Sequence, residues 1–304
     1  MTTIRNYLSL IKFSHTIFAM PFALIGFTLA VVPPVTLINL DGPITWSWDI
    51  SNRLQSHGMT FLLIILCMVF ARSAAMAFNR FLDRHFDALN PRTAIREIPA
   101  GIISADRALL FTITCSVLFI ACAWFINRLC FYLSPVALLV ILGYSFTKRF
   151  TALCHLVLGL GLSLAPIGAY LAVTGKFDWL PVFFSFAVIF WVSGFDIIYA
   201  LQDEEFDRRN NLHSIPAALG KQRALWVSEI LHLLSATSVI IAGVSGHFGW
   251  WYWIGIVVFI GMLVYQHSLV KPDDLSKVNI AFMTANGIAS VVFALFVITD
   301  LLTR

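Results

Sequence analysis

Charge is what this sequence has least of. Asp, Glu, Lys and Arg supply 12% of the 304 residues and hydrophobic side chains 59%, whereas an ordinary soluble domain carries about 25% charged residues. The deficit excludes a soluble globular protein and predicts one that lives in a membrane. Alternating apolar and polar residues in segments of about ten, the mark of a membrane barrel, are also missing, which leaves an all-α bundle. The five cysteines include no C-x-x-C pair, so neither a zinc site nor a disulfide framework is indicated, and they read as small packing residues. No low-complexity tract occurs, and no segment between the apolar runs is large enough for a second domain. A single domain over 1–304 is expected. The first apolar stretch is not followed by a small-residue cleavage site but ends in "VVPPV", and is therefore read as a first span rather than a secretory signal.

What is present is a series of uncharged runs: 13–40, 54–71, 108–127, 129–147, 150–175, 179–195, 230–270 and 278–299. About 20 apolar residues cross a bilayer core. The 230–270 run is 41 residues long and carries "GHFG" at 246–249, a turn signal that divides it in two. The expectation is a polytopic bundle of nine transmembrane helices.

Basic residues set the orientation. With the N-terminus in the cytoplasm, fifteen Lys and Arg fall on that side and only Arg53, Arg128, Lys176 and Arg304 on the other, with Arg72 left inside a span. A bacterial inner membrane is the expected location. The same bias accounts for the basic clusters without any nucleic acid. His15, at the end of the first span, reads as interfacial.

Against this background two segments gather acid and base. "NRFLDRHFDALN" at 79–90 and "DEEFDRRN" at 203–210 look like copies, because Asp83, Phe86, Asp87 and Asn90 reappear as Asp203, Phe206, Asp207 and Asn210, each displaced by 120 positions. The internal pseudo-repeat is assigned to 79–90 and 196–210. On a helix Arg72, Asn79, Asp83 and Asp87 share one face, as do Asp196, Tyr199, Asp203 and Asp207. Glu204 and Glu205 fall off that face and read as solvated. Carboxylates so close repel unless a cation lies between them, and hard oxygen ligands at a water boundary suit Mg²⁺, which takes one or two carboxylates and completes its shell with water or substrate phosphate. A diphosphate is the natural third party, with Arg84, Arg92, Arg96, Arg208 and Arg209 available for its remaining oxygens.

"GYSFTKRF" at 143–150 places Tyr144 and Lys148 four apart, on one face. Lys148 and Arg149 alone would pass for interfacial anchors; beside two acidic stripes they are read as diphosphate contacts. Diphosphate-binding groups at the boundary of an apolar bundle imply a substrate with a diphosphate head and a hydrocarbon tail. An isoprenyl diphosphate fits. Breaking its allylic C–O bond leaves a delocalised cation and a diphosphate whose growing charge Mg²⁺ stabilises, and the bundle keeps water away.

These residues resemble the UbiA superfamily of intramembrane prenyltransferases. The family pattern N-D-x-x-D-x-x-x-D is met by "NRFLDRHFD", D-x-x-x-D by "DEEFD" preceded by "DIIYALQ", and Y-x-x-x-K by "YSFTK"; "RTAIREIPAG" at 92–101 is similar to the family's following segment. The resemblance covers nearly the whole chain. It implies Mg²⁺ and diphosphate contact for Asn79, Asp83, Asp87, Asp203 and Asp207, with the four aspartates as metal ligands and catalytic residues, and diphosphate contact for Tyr144 and Lys148. Arg80 stands where the family commonly has its first aspartate, so no carboxylate is available there, and the guanidinium either meets phosphate or faces away.

The acceptor is left with two readings. The "YALQD" spelling resembles the 4-hydroxybenzoate polyprenyltransferases of ubiquinone synthesis; "NRFLDR" with "DALNPRTA" looks like a branch attached to menaquinone synthesis, whose acceptor is a dihydroxynaphthoate. Both acceptors are aromatic acids. Arg72 is a cationic partner for the carboxylate, since an arginine within a span demands an anion or a polar cavity, the alternative being a structural pair with a nearby acid. Asp196 and Tyr199 are candidates for orienting the acceptor hydroxyl and taking up a proton. A secondary transporter is the competing class, because buried acids and internal repeats occur there too.

Overall fold

The computed structural model describes residues 4–11, 18–32 and 52–303. Lys12, His15 and the "VVPPV" stop beyond Val32 lie outside the described residues. The helices are α1 (Ile4–Leu10), α2 (Met20–Val31), α3 (Gly58–Leu82), α4 (Arg84–Leu89), α5 (Ala105–Ile126), α6 (Arg128–Thr147), α7 (Cys154–Thr174), α8 (Trp179–Ala200), α9 (Glu204–Arg209), α10 (Ile215–Leu219), α11 (Lys221–Ser245), α12 (Trp250–Leu269) and α13 (Asn286–Thr303). Eight segments among the described residues are long and apolar enough to cross a membrane, and the 12-residue α2 is a shorter apolar helix where the first span was expected. The nine expected spans thus correspond to eight full ones and this shorter element. The chain is an integral, multi-pass membrane protein.

Polar residues start the helices where the sequence interrupts its apolar runs. Ser104, Asn127, Asp178 and Ser214 each accept a bond from a backbone N–H of the following turn, satisfying a donor that would otherwise be orphaned. The "GHFG" signal is the turn between α11 and α12. α7 ends at Gly175, whose φ of 64° terminates the helix in the left-handed region.

Close helix approaches use small residues. A Cβ on Gly159 of α7 would stand 2.5 Å from the Ile189 carbonyl oxygen and 2.5 Å from Ser193 Oγ of α8, so only glycine lets these two helices pack so tightly. The main core is aromatic, with Phe22, Phe184, Trp191, Tyr252, Phe259 and Phe293 all fully buried. Within it Trp191 Nε1 donates to Asn286 Oδ1 at 2.8 Å, as does Gln266 Nε2 at 2.9 Å. Asn286 in turn donates to the Ala281 and Phe282 carbonyls of the π-helical turn Ile280–Ala285.

Candidate active site

The acidic segments lie where two long helices break. α3 ends at Leu82, Asp83 caps it, and α4 continues for six residues; α8 ends at Ala200, a 3₁₀ turn covers Leu201–Asp203, and α9 follows. Despite these breaks the acidic parts of both expected faces converge, Arg72 excepted. Asn79, Asp83 and Asp87 from the first segment and Asp196, Tyr199, Asp203 and Asp207 from the second line one polar cavity of about 220 Å³, with Tyr144 and Lys148 from the end of α6.

Four carboxylates here face four cations. Asp83 Oδ1 lies 3.5 Å from Arg149 Nη2, Asp87 Oδ1 2.6 Å from Arg96 Nη1, and Asp207 Oδ1 2.7 Å from Lys148 Nζ. Arg92 grips Asp203 with two nitrogens, Nε at 3.1 Å from Oδ1 and Nη2 on Oδ2, and donates from Nη1 to the Tyr199 hydroxyl at 3.1 Å. Asn79 Nδ2 donates to Asp83 Oδ2 at 3.0 Å. Asn90 Nδ2 donates to Asp203 Oδ1 at 3.1 Å, joining the two segments. Burial and the neighbouring Asp87 raise the Asp83 carboxyl above its usual range, against the pull of Lys148 and Arg149. For Lys148 burial acts downward, but Asp207 and Asp203 outweigh it and hold the ammonium above its usual value.

Two buried carboxylate oxygens, Asp87 Oδ2 and Asp207 Oδ1, have no hydrogen-bond donor. The first stands 3.9 Å from Arg80 Nη1, and the second faces Lys148 without hydrogen-bond alignment. Among the described residues no three His, Cys, Asp or Glu side chains converge as a self-sufficient metal cluster. That donor set fits Mg²⁺, which needs one or two carboxylates and fills its other positions with water and phosphate oxygens; it does not fit a metal that requires a full protein cage.

A second cavity, about 360 Å³ and almost wholly apolar, adjoins the first, with Tyr144 and Leu158 lining both. Ile64, Met68, Phe119 and Leu162 are among its walls, and Arg72 lines it too, so Arg72 belongs to the apolar chamber and not to the acidic stripe. Its buried Nε has no hydrogen-bond partner.

Some assignments fail. Arg84 turns away from the cavity, donating to the Phe81 carbonyl at 2.7 Å with its guanidinium 4.6 Å above the Phe81 ring. Arg208 pairs with Glu204 at 2.5 Å and Arg209 with Glu205 at 3.3 Å, outside the cavity lining. Glu204 is buried rather than solvated, while Glu205 is exposed as expected. Arg80 is buried beside Asp87 and does not line the cavity. Arg149, read as an anchor when taken alone, does line it, as do Arg92, Arg96 and Asn90. His155 was missed: a lone histidine in an apolar run carries no sequence signal that it meets an acid 41 residues away, yet its Nδ1 lies 2.7 Å from Asp196 Oδ2.

Comparisons with known proteins agree with this geometry. A model of the UbiA prenyltransferase family matches residues 19–288. A 4-hydroxybenzoate octaprenyltransferase of Tolumonas auensis is 31% identical over 263 residues, covering 86% of this chain and 91% of that protein. The apo structure of a UbiA homolog from Aeropyrum pernix superposes with a TM-score of 0.79 at 27% identity, over 94% of this chain and 98% of that one. A UbiA homolog from Archaeoglobus fulgidus, solved bound to GPP and Mg²⁺, shares the fold with a TM-score of 0.70 at 21% identity, over 97% and 99% of the two chains.

Proposed function

Because the chain belongs to the UbiA prenyltransferase family, we propose that it transfers a polyprenyl group from a polyprenyl diphosphate to an aromatic acid of the 4-hydroxybenzoate type, with Mg²⁺, in quinone biosynthesis. The observation that carries this reading is the pairing of cavities: five carboxylates, four of them paired with cations, around a polar chamber that shares Tyr144 and Leu158 with an apolar one containing a single buried guanidinium. A diphosphate suits the first chamber. An apolar substrate part with a carboxylate near Arg72 suits the second.

Asp83, Asp87, Asp203 and Asp207 are the residues that would hold magnesium. When bound, the metal neutralises the charge that grows on the diphosphate as the allylic C–O bond breaks. The chain's own residues do the rest. Asn79, Tyr144 and Lys148 hold diphosphate oxygens, Arg92 and Arg96 are placed to join them, and Asn90 keeps the two acidic helix ends in register. The apolar walls exclude water from the allylic cation. Arg72 binds the acceptor carboxylate, Tyr199 orients its hydroxyl, and Asp196 receives the proton lost from the ring.

The chain acts as one domain over 1–304, with a pseudo-repeat at 79–90 and 196–210. Its site opens on the cytoplasmic side of the inner membrane, since fifteen of its twenty basic residues fall on the side of the acidic segments in that orientation. The transporter reading has less support, because the acids of the two motifs follow helix ends instead of interrupting a span. The relatives named for 4-hydroxybenzoate favour that acceptor over dihydroxynaphthoate.

The test is incubation of the purified protein in membranes with Mg²⁺, polyprenyl diphosphates of defined length and each acceptor, with mass spectrometry of the products. Prenylated 4-hydroxybenzoate is the expected product. Product from dihydroxynaphthoate alone moves the protein to menaquinone synthesis, and no product from either overturns the reading.

A further inference from the structure

We propose that His155 is a positioning residue: a neutral imidazole protonated on Nδ1, it holds the Asp196 carboxylate toward the cavity so that this carboxylate takes the proton the aromatic ring loses. The inference rests on the proposed reading of the chain as an aromatic prenyltransferase.

Two contacts fix the tautomer. The backbone nitrogen of Ile215 lies 3.3 Å from His155 Nε2. A backbone N–H only donates, so Nε2 accepts and carries no proton. Nδ1 therefore bears the ring's proton and donates it to Asp196 Oδ2, 2.7 Å away. The His155 side chain is nearly inaccessible, while a quarter of the Asp196 side chain remains exposed and lines the polar cavity. The carboxylate is thus held on one side and open on the other.

The surrounding backbone leaves the imidazole little freedom. Gly159, one turn along α7, permits the close approach to α8 that brings His155 and Asp196 together. Ser193 Oγ donates to the His155 carbonyl at 3.0 Å. Ile215 is held in turn through Ser214, whose hydroxyl donates to Asp207 Oδ2 at 2.9 Å. Such outer contacts orient a reacting group as surely as direct ones.

Asp196 also differs from the other cavity acids. Asp83, Asp87, Asp203 and Asp207 each face an Arg or Lys, whereas Asp196 meets an imidazole whose other nitrogen accepts from the Ile215 amide. Its negative charge is oriented without being cancelled. In the transfer the allylic C–O bond breaks and its electron pair leaves with the diphosphate. The ring carbon forms the new C–C bond, its C–H electron pair returns to the ring, and the proton passes to Asp196 and then to water in the polar chamber.

His155→Asn and His155→Gln separate the two contacts, since the Asn amide N–H replaces Nδ1–H toward Asp196 and the Gln amide oxygen replaces Nε2 toward Ile215. Each is assayed for kcat, for KM of the prenyl diphosphate and for the isotope effect of a ring-deuterated acceptor. His155→Gln should lose about tenfold or more in kcat with KM unchanged and gain a normal isotope effect, while His155→Asn stays within about threefold of wild type. Equal loss in both variants, wild-type turnover in His155→Gln, or loss without an isotope effect overturns the proposal. If a variant does not accumulate, ¹⁵N NMR of histidine-labelled wild type decides: a protonated Nε2 at His155 overturns it, an unprotonated Nε2 supports it. A wild-type protein that prenylates no aromatic acid refutes the functional reading itself, whereas the wrong variant pattern in an active wild type refutes only the role of His155.

Discussion

Asn90 and Asp203, 113 residues apart in sequence, meet at 3.1 Å, and through them the end of α4 is tied to the 3₁₀ turn after α8 across the polar cavity. Asp203 is at the same time gripped by Arg92. Removing its charge strips two partners at once. Asp203→Asn is expected to lower prenyl transfer at least about 100-fold, as is Asp83→Asn, in purified membranes with Mg²⁺ and both substrates. Chelation with EDTA should stop wild-type turnover and added Mg²⁺ restore it; near-normal rates in either mutant would remove the acids from the mechanism.

Arg92→Lys is a sharper test than Arg92→Ala. The guanidinium makes a forked contact with Asp203 and still reaches the Tyr199 hydroxyl, a geometry no ammonium reproduces. The expected outcome is a rise of about tenfold in KM for the prenyl diphosphate, read from initial rates over a range of substrate concentration.

Arg72→Leu should separate acceptor from donor. With the guanidinium gone, KM for a carboxylated acceptor is expected to rise about tenfold or more, the worth of one charged hydrogen bond, while KM for the prenyl diphosphate stays put. Thermal stability in detergent should not fall, because the substitution removes a buried charge whose Nε is unpartnered. A fall in stability with an unchanged acceptor KM would identify Arg72 as a structural residue.

Gly159→Ala tests the packing of α7 on α8. The added Cβ would sit 2.5 Å from a carbonyl oxygen, so the helices must part, at a cost of roughly 1–3 kcal/mol. The Tm in detergent should drop. Activity should fall with it, since the same interface carries the contact between His155 and Asp196.

Periodicity and charge made most of this architecture legible before any coordinates. Uncharged runs located the spans, and the fourfold spacing of Asn79, Asp83 and Asp87 survived the helix break at Asp83 because α4 follows after a single residue. The short spans were harder: α2 is only 12 described residues in a 28-residue apolar run. Arginines were the weakest point. Spacing fixes where a Cα stands but not where a long side chain swings, so Arg84 was lost to the Phe81 ring and Arg208 to Glu204, while Arg149, in the turn after α6, reaches Asp83 as its place beside the acidic stripes led one to expect. His155 and Asp196 lie on different helices, and only the fold brings them together.

Every motif carboxylate in the polar chamber faces a Lys or Arg of the same chain, and this internal pairing sets the terms of entry. A lone divalent ion would have to evict those side chains and strand their charge; a lone pyrophosphate would have to pull them off and strand the acids. Arriving jointly, the two let each aspartate exchange an arginine or lysine for the metal while that side chain exchanges its aspartate for a phosphoryl oxygen. On the proposed reading this exchange makes the pair easier to seat than either ion by itself.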